Sequence, residues 1–264
     1  MVQIYTDPAG MPPVTADTEF RFHCHAGLAC FNRCCQNPTI ILKPYDILRL
    51  RRCLGITSTA FLARYTVRVL EEVSGLPLRL LAEPTGDAPG CPFLTSEGCG
   101  VYADRPAACR LFPVVQGSQL TEAGVVDRYF LKKLDGCEGF AGAATWTLSQ
   151  WRQAQGLEPY DASNGAWTAI LLQLGARTGG SPSPREIGPF EVAVYDLDAF
   201  RRFVLETAFA STYVLGEEVR AILQEDDLAL LELGYAYARL RLGLGGAEAL
   251  QEVLRAMVNR RRNS

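Results

Sequence analysis

A chain of 264 residues, 48% of them hydrophobic, is long enough for one domain or two small ones, and a chain of this size buries about three-quarters of its unfolded surface without needing a metal merely to form a core. Its formal charge of −3 gives no overall electrostatic reason to bind nucleic acid, and no such partner is expected. No apolar run reaches membrane-spanning length, so no membrane partner is expected either.

The opening stretch, Met1 to Ala16, lacks a basic segment followed by an apolar one, and the expected compartment is the reducing cytoplasm. A first cysteine group follows: Cys24, Cys30, Cys34 and Cys35. Pro44 suits a first helical position, and Ile47, Leu50 and Leu54 recur at helical spacing up to Gly55, which predicts a short amphipathic helix. Cys53 lies beside Leu50 and Leu54 and reads as a small buried hydrophobe. Thr57 or Ser58 caps a second short helix through Tyr65, and Leu76 to Leu81 reads as a strand bounded by Pro77 and Pro84. The second cysteine group is Cys91, Cys99, Cys109 and Cys137. Helices are predicted over Thr145 to Gln155 and Asp161 to Leu174. Arg177 to Pro189, with Gly179-Gly180-Ser181-Pro182-Ser183-Pro184, is the clearest break, either a linker or a long surface loop. A strand over Phe190 to Tyr195 and helices near Leu197 to Phe209, Glu217 to Gln224, Asp227 to Leu242 and Ala247 to Arg261 complete the chain. Arg260, Arg261 and Arg262 read as a solvated, frayed tail. The fold class is α+β and mainly helical: a loop-rich cysteine-cluster region with short strands over residues 1–142, then a mainly helical region over 143–264, either separate or packed with the first as one domain.

Eight of the nine cysteines thus form two groups of four. Thiolate is the soft ligand that selects zinc or iron–sulfur clusters, so the expected partners are metal ions and the expected cofactor is an iron–sulfur cluster, of the [4Fe–4S] type for instance, or Zn2+. A disulfide framework fits less well, because the compartment is reducing and an odd cysteine count leaves one thiol over. Thr95-Ser96-Glu97-Gly98 is a turn-like insert that folds Cys91 and Cys99 toward one point. Pro106 suits a helix start that carries Cys109 one turn later, and Cys137 is flanked by Gly136 and Gly139. The vicinal pair Cys34-Cys35 is diagnostic: adjacent side chains point apart, so more than one metal atom is implied. The site should therefore be composite, with both cysteine groups converging. Thiolate centres carry excess negative charge, and Arg105 and Arg110, flanking Cys109, are the first candidates to offset it; Arg33, Lys132 and Lys133 also adjoin ligands. His23 and His25 bracket Cys24; each is either a structural or surface residue or, for one of the two, a ligand or outer-shell donor.

The segments Phe22-x-Cys24-x5-Cys30-x3-Cys34-Cys35, Cys91-Pro92-Phe93-Leu94, Cys99-x-Val101-Tyr102, Arg105-Pro106-x2-Cys109-Arg110-x-Phe112-Pro113 and Cys137-x-Gly139 resemble the YkgJ-type cysteine-cluster family of zinc- or iron-chelating domains, over roughly residues 20 to 140. The first group departs from that family's Cys-x-x-Cys-x-x-Cys-Cys opening by its x5 and x3 spacings. A similar cysteine arrangement in flagellin lysine methylases implies a second function class. The leading expectation is a metal-binding protein; the alternative is a metal-dependent, methyltransferase-like enzyme of group transfer acting on a protein substrate. Against the enzyme, no dinucleotide fingerprint, Gly-x-Ser-x-Gly elbow or Ser/His/Asp set is visible.

Overall fold

The computed structural model describes residues 10–36, 38–83, 90–177 and 181–262. Pro84, and Gly179-Gly180 within the expected break, lie outside the described residues. The chain begins with strands β1 (Pro13–Val14) and β2 (Glu19–Arg21), then β3 (Ile41–Leu42) and helix α1 (Pro44–Leu54). Pro44 opens α1 and Gly55 closes it in the left-handed conformation, as the spacing predicts. Helix α2 (Ser58–Tyr65) is capped by the Thr57 hydroxyl, which accepts from the Ala60 N–H. Strands β4 (Thr66–Leu70) and β5 (Pro77–Leu81) complete an antiparallel sheet in the order β3-β5-β4. Next come β6 (Leu94–Thr95), β7 (Gly98–Cys99), the short helix α3 (Ala107–Leu111) and a hairpin of β8 (Val114–Thr121) and β9 (Gly124–Leu131), with β1 paired to β9. Strand β10 (Thr145–Thr147) pairs with β2 and runs into α4 (Leu148–Ala154).

The remaining chain is helical: α5 (Glu158–Gly175), α6 (Pro184–Tyr195), α7 (Leu197–Glu206), α8 (Phe209–Thr212), α9 (Glu217–Glu225), α10 (Asp227–Arg241) and α11 (Ala247–Arg262). The strand expected over Phe190 to Tyr195 is instead the second half of α6. Ser183 caps that helix reciprocally with Glu186, and Phe190, Ala193 and Val194 at helical spacing are buried. The break is accordingly shorter than Arg177 to Pro189. The three arginines at the end of α11 are not frayed: Arg260 pairs with Glu232, Arg261 with Glu225 at 3.7 Å and Arg262 with Glu218 at 2.9 Å. Among the described residues no helix is long and apolar enough to cross a membrane.

Two apolar cores result. The larger joins β3, α1, α2 and β5 (Leu42, Ile47, Leu50, Phe61, Leu78) to α5–α11 (Trp167, Phe190, Phe200, Leu230, Leu254). The smaller holds Val14, Phe20, Phe22, Leu111, Val114, Leu148, Trp151 and Leu157, with the Trp151 ring edge-on to Phe20 and Phe22.

Val214, after α8, has φ of 51° and is 85% exposed. A β-branched residue strained in the left-handed region, with nothing to pack against, costs stability. Val214→Gly is expected to raise the unfolding free energy by about 0.5–1 kcal/mol, a small upward Tm shift in a thermal melt. An unchanged or lower Tm would show that the strain is compensated.

Candidate metal centre

Three chain segments bring the eight cysteines together. In the first, β2 hands on to Phe22 and His23, whose N–H groups donate to the carbonyls of Ala144 (3.1 Å) and Gly139 (2.9 Å), so Cys24 lies alongside the turn that follows Cys137. The chain then winds through overlapping turns, Leu28 to His25, Phe31 to Leu28 and Arg33 to Cys30. With Asn32 left-handed (φ 66°), it enters a single 3₁₀ turn, Arg33–Cys35, carrying the vicinal pair. The Cys30 sulfur accepts the Glu138 N–H at 3.2 Å while the Ala29 N–H donates to the Glu138 carboxylate at 3.1 Å, which zips Cys30 to Cys137. The Arg33 guanidinium packs against Gly136, whose φ of 70° favours glycine next to Cys137.

The second segment is fastened by the Cys91 N–H, which donates to the Cys35 carbonyl at 2.7 Å. Gly90 permits this contact: its φ is 127°, and a Cβ there would stand 3.0 Å from that same carbonyl. Strands β6 and β7 form the expected turn-back, with Leu94 opposite Cys99 and the Leu94 N–H donating to the Cys91 carbonyl. Cys109 rides on α3, as Pro106 predicts.

The sulfurs lie within each other's electrostatic reach in a definite pattern. The Cys24 thiol is raised by burial and then by Cys34, Cys30 and Cys137, and Cys137 by burial, Cys30 and Cys34. Cys109 is pushed up to about 12, by burial first and then by Cys91, Asp46, Cys99 and Cys34. The Cys91 thiol is raised by burial, Cys99 and Cys34. Cys34 and Cys35 sit with sulfurs 3.9 Å apart. Sharing a proton lowers Cys34 to about 7 and raises Cys35, whose other sulfur neighbours are Cys91 and Cys109. One set thus gathers at Cys24, Cys30 and Cys137, another at Cys91, Cys99 and Cys109, with the vicinal pair between them. The packing follows the same division: Cys91 and Cys99 lean on the larger core, Cys137 on the smaller. Among the described residues no three metal-binding side chains stand at ligating distance from one point. The donor set nonetheless fits a thiophilic cation, which relieves the mutual repulsion of crowded thiolates.

Arg105 and Arg110 flank the second set without touching sulfur. Arg110 is buried, donates to the carbonyls of Arg105 (3.0 Å), Gln155 (2.8 Å) and Ala103, and lies over the Tyr160 ring. Arg105 donates to the Tyr102 carbonyl and the Gln155 amide oxygen and stacks at 3.9 Å on the exposed Tyr102 ring. Neither pairs with a carboxylate among the described residues. The imidazoles of His23 and His25 face each other, 4.8 Å apart, and His25 Nδ1 accepts the Gly27 N–H.

Cys53 corrects the sequence reading. It is exposed, not buried, within reach of the charges of Asp104 and Arg49. Cys53→Ser should therefore leave metal content unchanged and stability within about 0.5 kcal/mol in a denaturant titration; loss of metal would make the ninth sulfur a ligand.

Residues 23–138 match a family model described as "CxxCxxCC: Putative zinc- or iron-chelating domain", so the resemblance carried by the cysteine spacing holds over that segment, which contains all eight clustered cysteines. The match supports a metal-binding role. Searches of curated proteins and of solved structures return no match, and the likeness to flagellin lysine methylases finds no support in them.

Proposed function

We propose that the protein binds zinc or iron through its eight clustered thiolates, as two adjacent four-sulfur centres: Cys24, Cys30, Cys34 and Cys137 in one, Cys35, Cys91, Cys99 and Cys109 in the other. The observation that carries this reading is that Cys24, Cys30 and Cys137 gather on one side of the vicinal pair and Cys91, Cys99 and Cys109 on the other, so that Cys34 and Cys35, at the join, can serve one centre each. Four thiolates suit either Zn2+ or a [4Fe–4S] cluster. Arg105 and Arg110, which form no salt bridge among the described residues, offset the charge through space rather than by hydrogen bonds to sulfur. Residues 1–142 would supply the ligands, and residues 143–264 the helical support packed against them.

Reduced thiolates of this kind persist in a reducing compartment such as the cytoplasm. The test is metal and acid-labile sulfide analysis, with a visible spectrum, of protein purified without oxygen. Iron and sulfide in equal amounts with a brown colour would mark a cluster; a colourless protein with two zinc ions per chain would mark thiolate zinc. Protein that retains neither, and whose cysteines all react freely with a thiol reagent, would sink the proposal.

A further inference from the structure

Asp46, which the sequence reading passes over, is 1% exposed and pairs directly with no cation among the described residues. Each of its carboxylate oxygens has one partner: Oδ2 accepts the Lys43 N–H at 2.8 Å, closing the first turn of α1, and Oδ1 accepts the Ala107 N–H at 2.9 Å, the first of α3. One buried side chain therefore satisfies orphan donors at the starts of two helices. The two helices differ in how firmly they stand. α1 is rooted in the larger core by Ile47, Leu48 and Leu50, each at most 1% exposed, whereas α3 has five residues, too few to hold a helix alone. Cys109 lies two residues beyond the N–H that Asp46 holds, and Asp46 is close enough for its charge to act on that thiol.

We infer that Asp46 is the positioning residue for the Cys109 ligand, carrying the fixed placement of α1 across to the sulfur. A carboxylate in this place also costs something: it adds negative charge beside a thiolate set, and burial pushes Asp46 up to about 6 against the pull of its two N–H donors and the charges of Lys43 and Arg110. Its retention there, with no salt bridge to neutralise it, fits an acceptor needed for geometry.

The inference rests on the proposed role of Cys109, and the test separates the two. The full chain is loaded with cobalt(II), and binding is read from thiolate-to-metal absorption and from competition with a chelator. The variants are Asp46→Asn, Cys109→Ser, the double variant and Ala107→Pro; all are checked by far-UV circular dichroism. Ala107→Pro removes only the donated N–H, at a first helical position where proline is tolerated and after an extended Pro106 (ψ 153°). Asp46→Asn and Ala107→Pro are each expected to weaken cobalt binding roughly ten-fold, the scale of an outer support to a ligand. Asp46→Asn is expected to add nothing once Cys109 is serine, since a positioning effect vanishes with the ligand it positions. Multiplicative losses in the double variant, or wild-type affinity in Asp46→Asn, would overturn the inference. Should Asp46→Asn fail to fold, Ala107→Pro decides alone, wild-type affinity again being the negative result. Cys109→Ser that binds cobalt like the wild type would remove the ligand role of Cys109, and Asp46's with it, while leaving metal binding by the other cysteines standing.

Discussion

Chelation of the bound metal is expected to open the cysteine-bearing segments while α5 to α11 stay folded. The two cores differ in what they can hold. Helices α5–α11 bury Trp167, Phe190, Phe200, Leu223, Leu230, Leu233 and Leu250 almost completely. The segments carrying Cys24 to Cys35 and Cys137 are tied down by a core of eight side chains, a two-strand pairing of β2 with β10 and a few backbone bonds such as His23 to Gly139. Metal binding at structural thiolate sites is worth about 10 kcal/mol or more, comparable with a whole domain's stability, so its loss outweighs those local contacts. Limited trypsin digestion with and without chelator provides the measurement. In metal-free protein the first cuts should fall at Arg33, Lys132 or Lys133, between the ligands, with the chain beyond Pro184 surviving as a protected fragment. Equal protection in both states would mean that the sulfurs sit in a preformed pocket, and would favour an exchanging or sensing role over a staple.

Much of this architecture could be read from particular residues. Pro44 and Gly55 bracket α1, Thr57 caps α2, and the apolar faces of α9, α10 and α11 set their spans to within a residue or two. The hairpin of β8 and β9 carried no such mark, because Val125 and Val126 are both more than a third exposed and much of β9 faces solvent, so no alternation of polar and apolar residues signals it. In α6 the run Phe190, Val192 and Val194 imitates a strand; Ser183 with Glu186 was the stronger signal, and capping wins because it satisfies backbone donors wherever the helix then packs. Cysteine chemistry was legible from composition and spacing, but the assortment of sulfurs was not. It depends on contacts such as Cys91 to Cys35 and Glu138 to Cys30, between residues more than fifty apart, which no local pattern encodes. Asp46 was hidden for the same reason: in sequence it is one more first-turn acidic residue, and only the folded chain brings Ala107 to its second oxygen.

Replacing Asp227 with alanine is expected to be the most damaging change outside the cysteines. Asp227, 7% exposed in the first turn of α10, accepts from Arg51 at 2.5 Å, Arg52 at 2.8 Å and Arg201 at 2.5 Å, tying α1 and α7 to α10. Without it, Asp198, 3.7 Å from Arg51 and 3.6 Å from Arg201, is the carboxylate left beside these guanidiniums among the described residues. Removing one partner from such a network strands buried charge and costs on the order of 3–5 kcal/mol, far more than the intact pairs contribute. The pH dependence has a definite sign. Burial pushes the Asp227 carboxyl up, but the Arg201 hydrogen bond and the charges of Arg51 and Arg52 outweigh it and hold the group below its usual value of 3.8. A carboxylate depressed in the fold stabilises fully above its unfolded pKa, and that contribution fades as pH falls through the folded one. The gap between wild type and Asp227→Ala in urea unfolding should therefore be constant from about pH 5 to 8 and narrow below about pH 4. A gap that instead widened in acid, or a variant within about 1 kcal/mol of wild type at neutral pH, would show that Asp198 alone suffices for the three arginines and that α1 is held to the helical core by apolar packing rather than by this charge cluster.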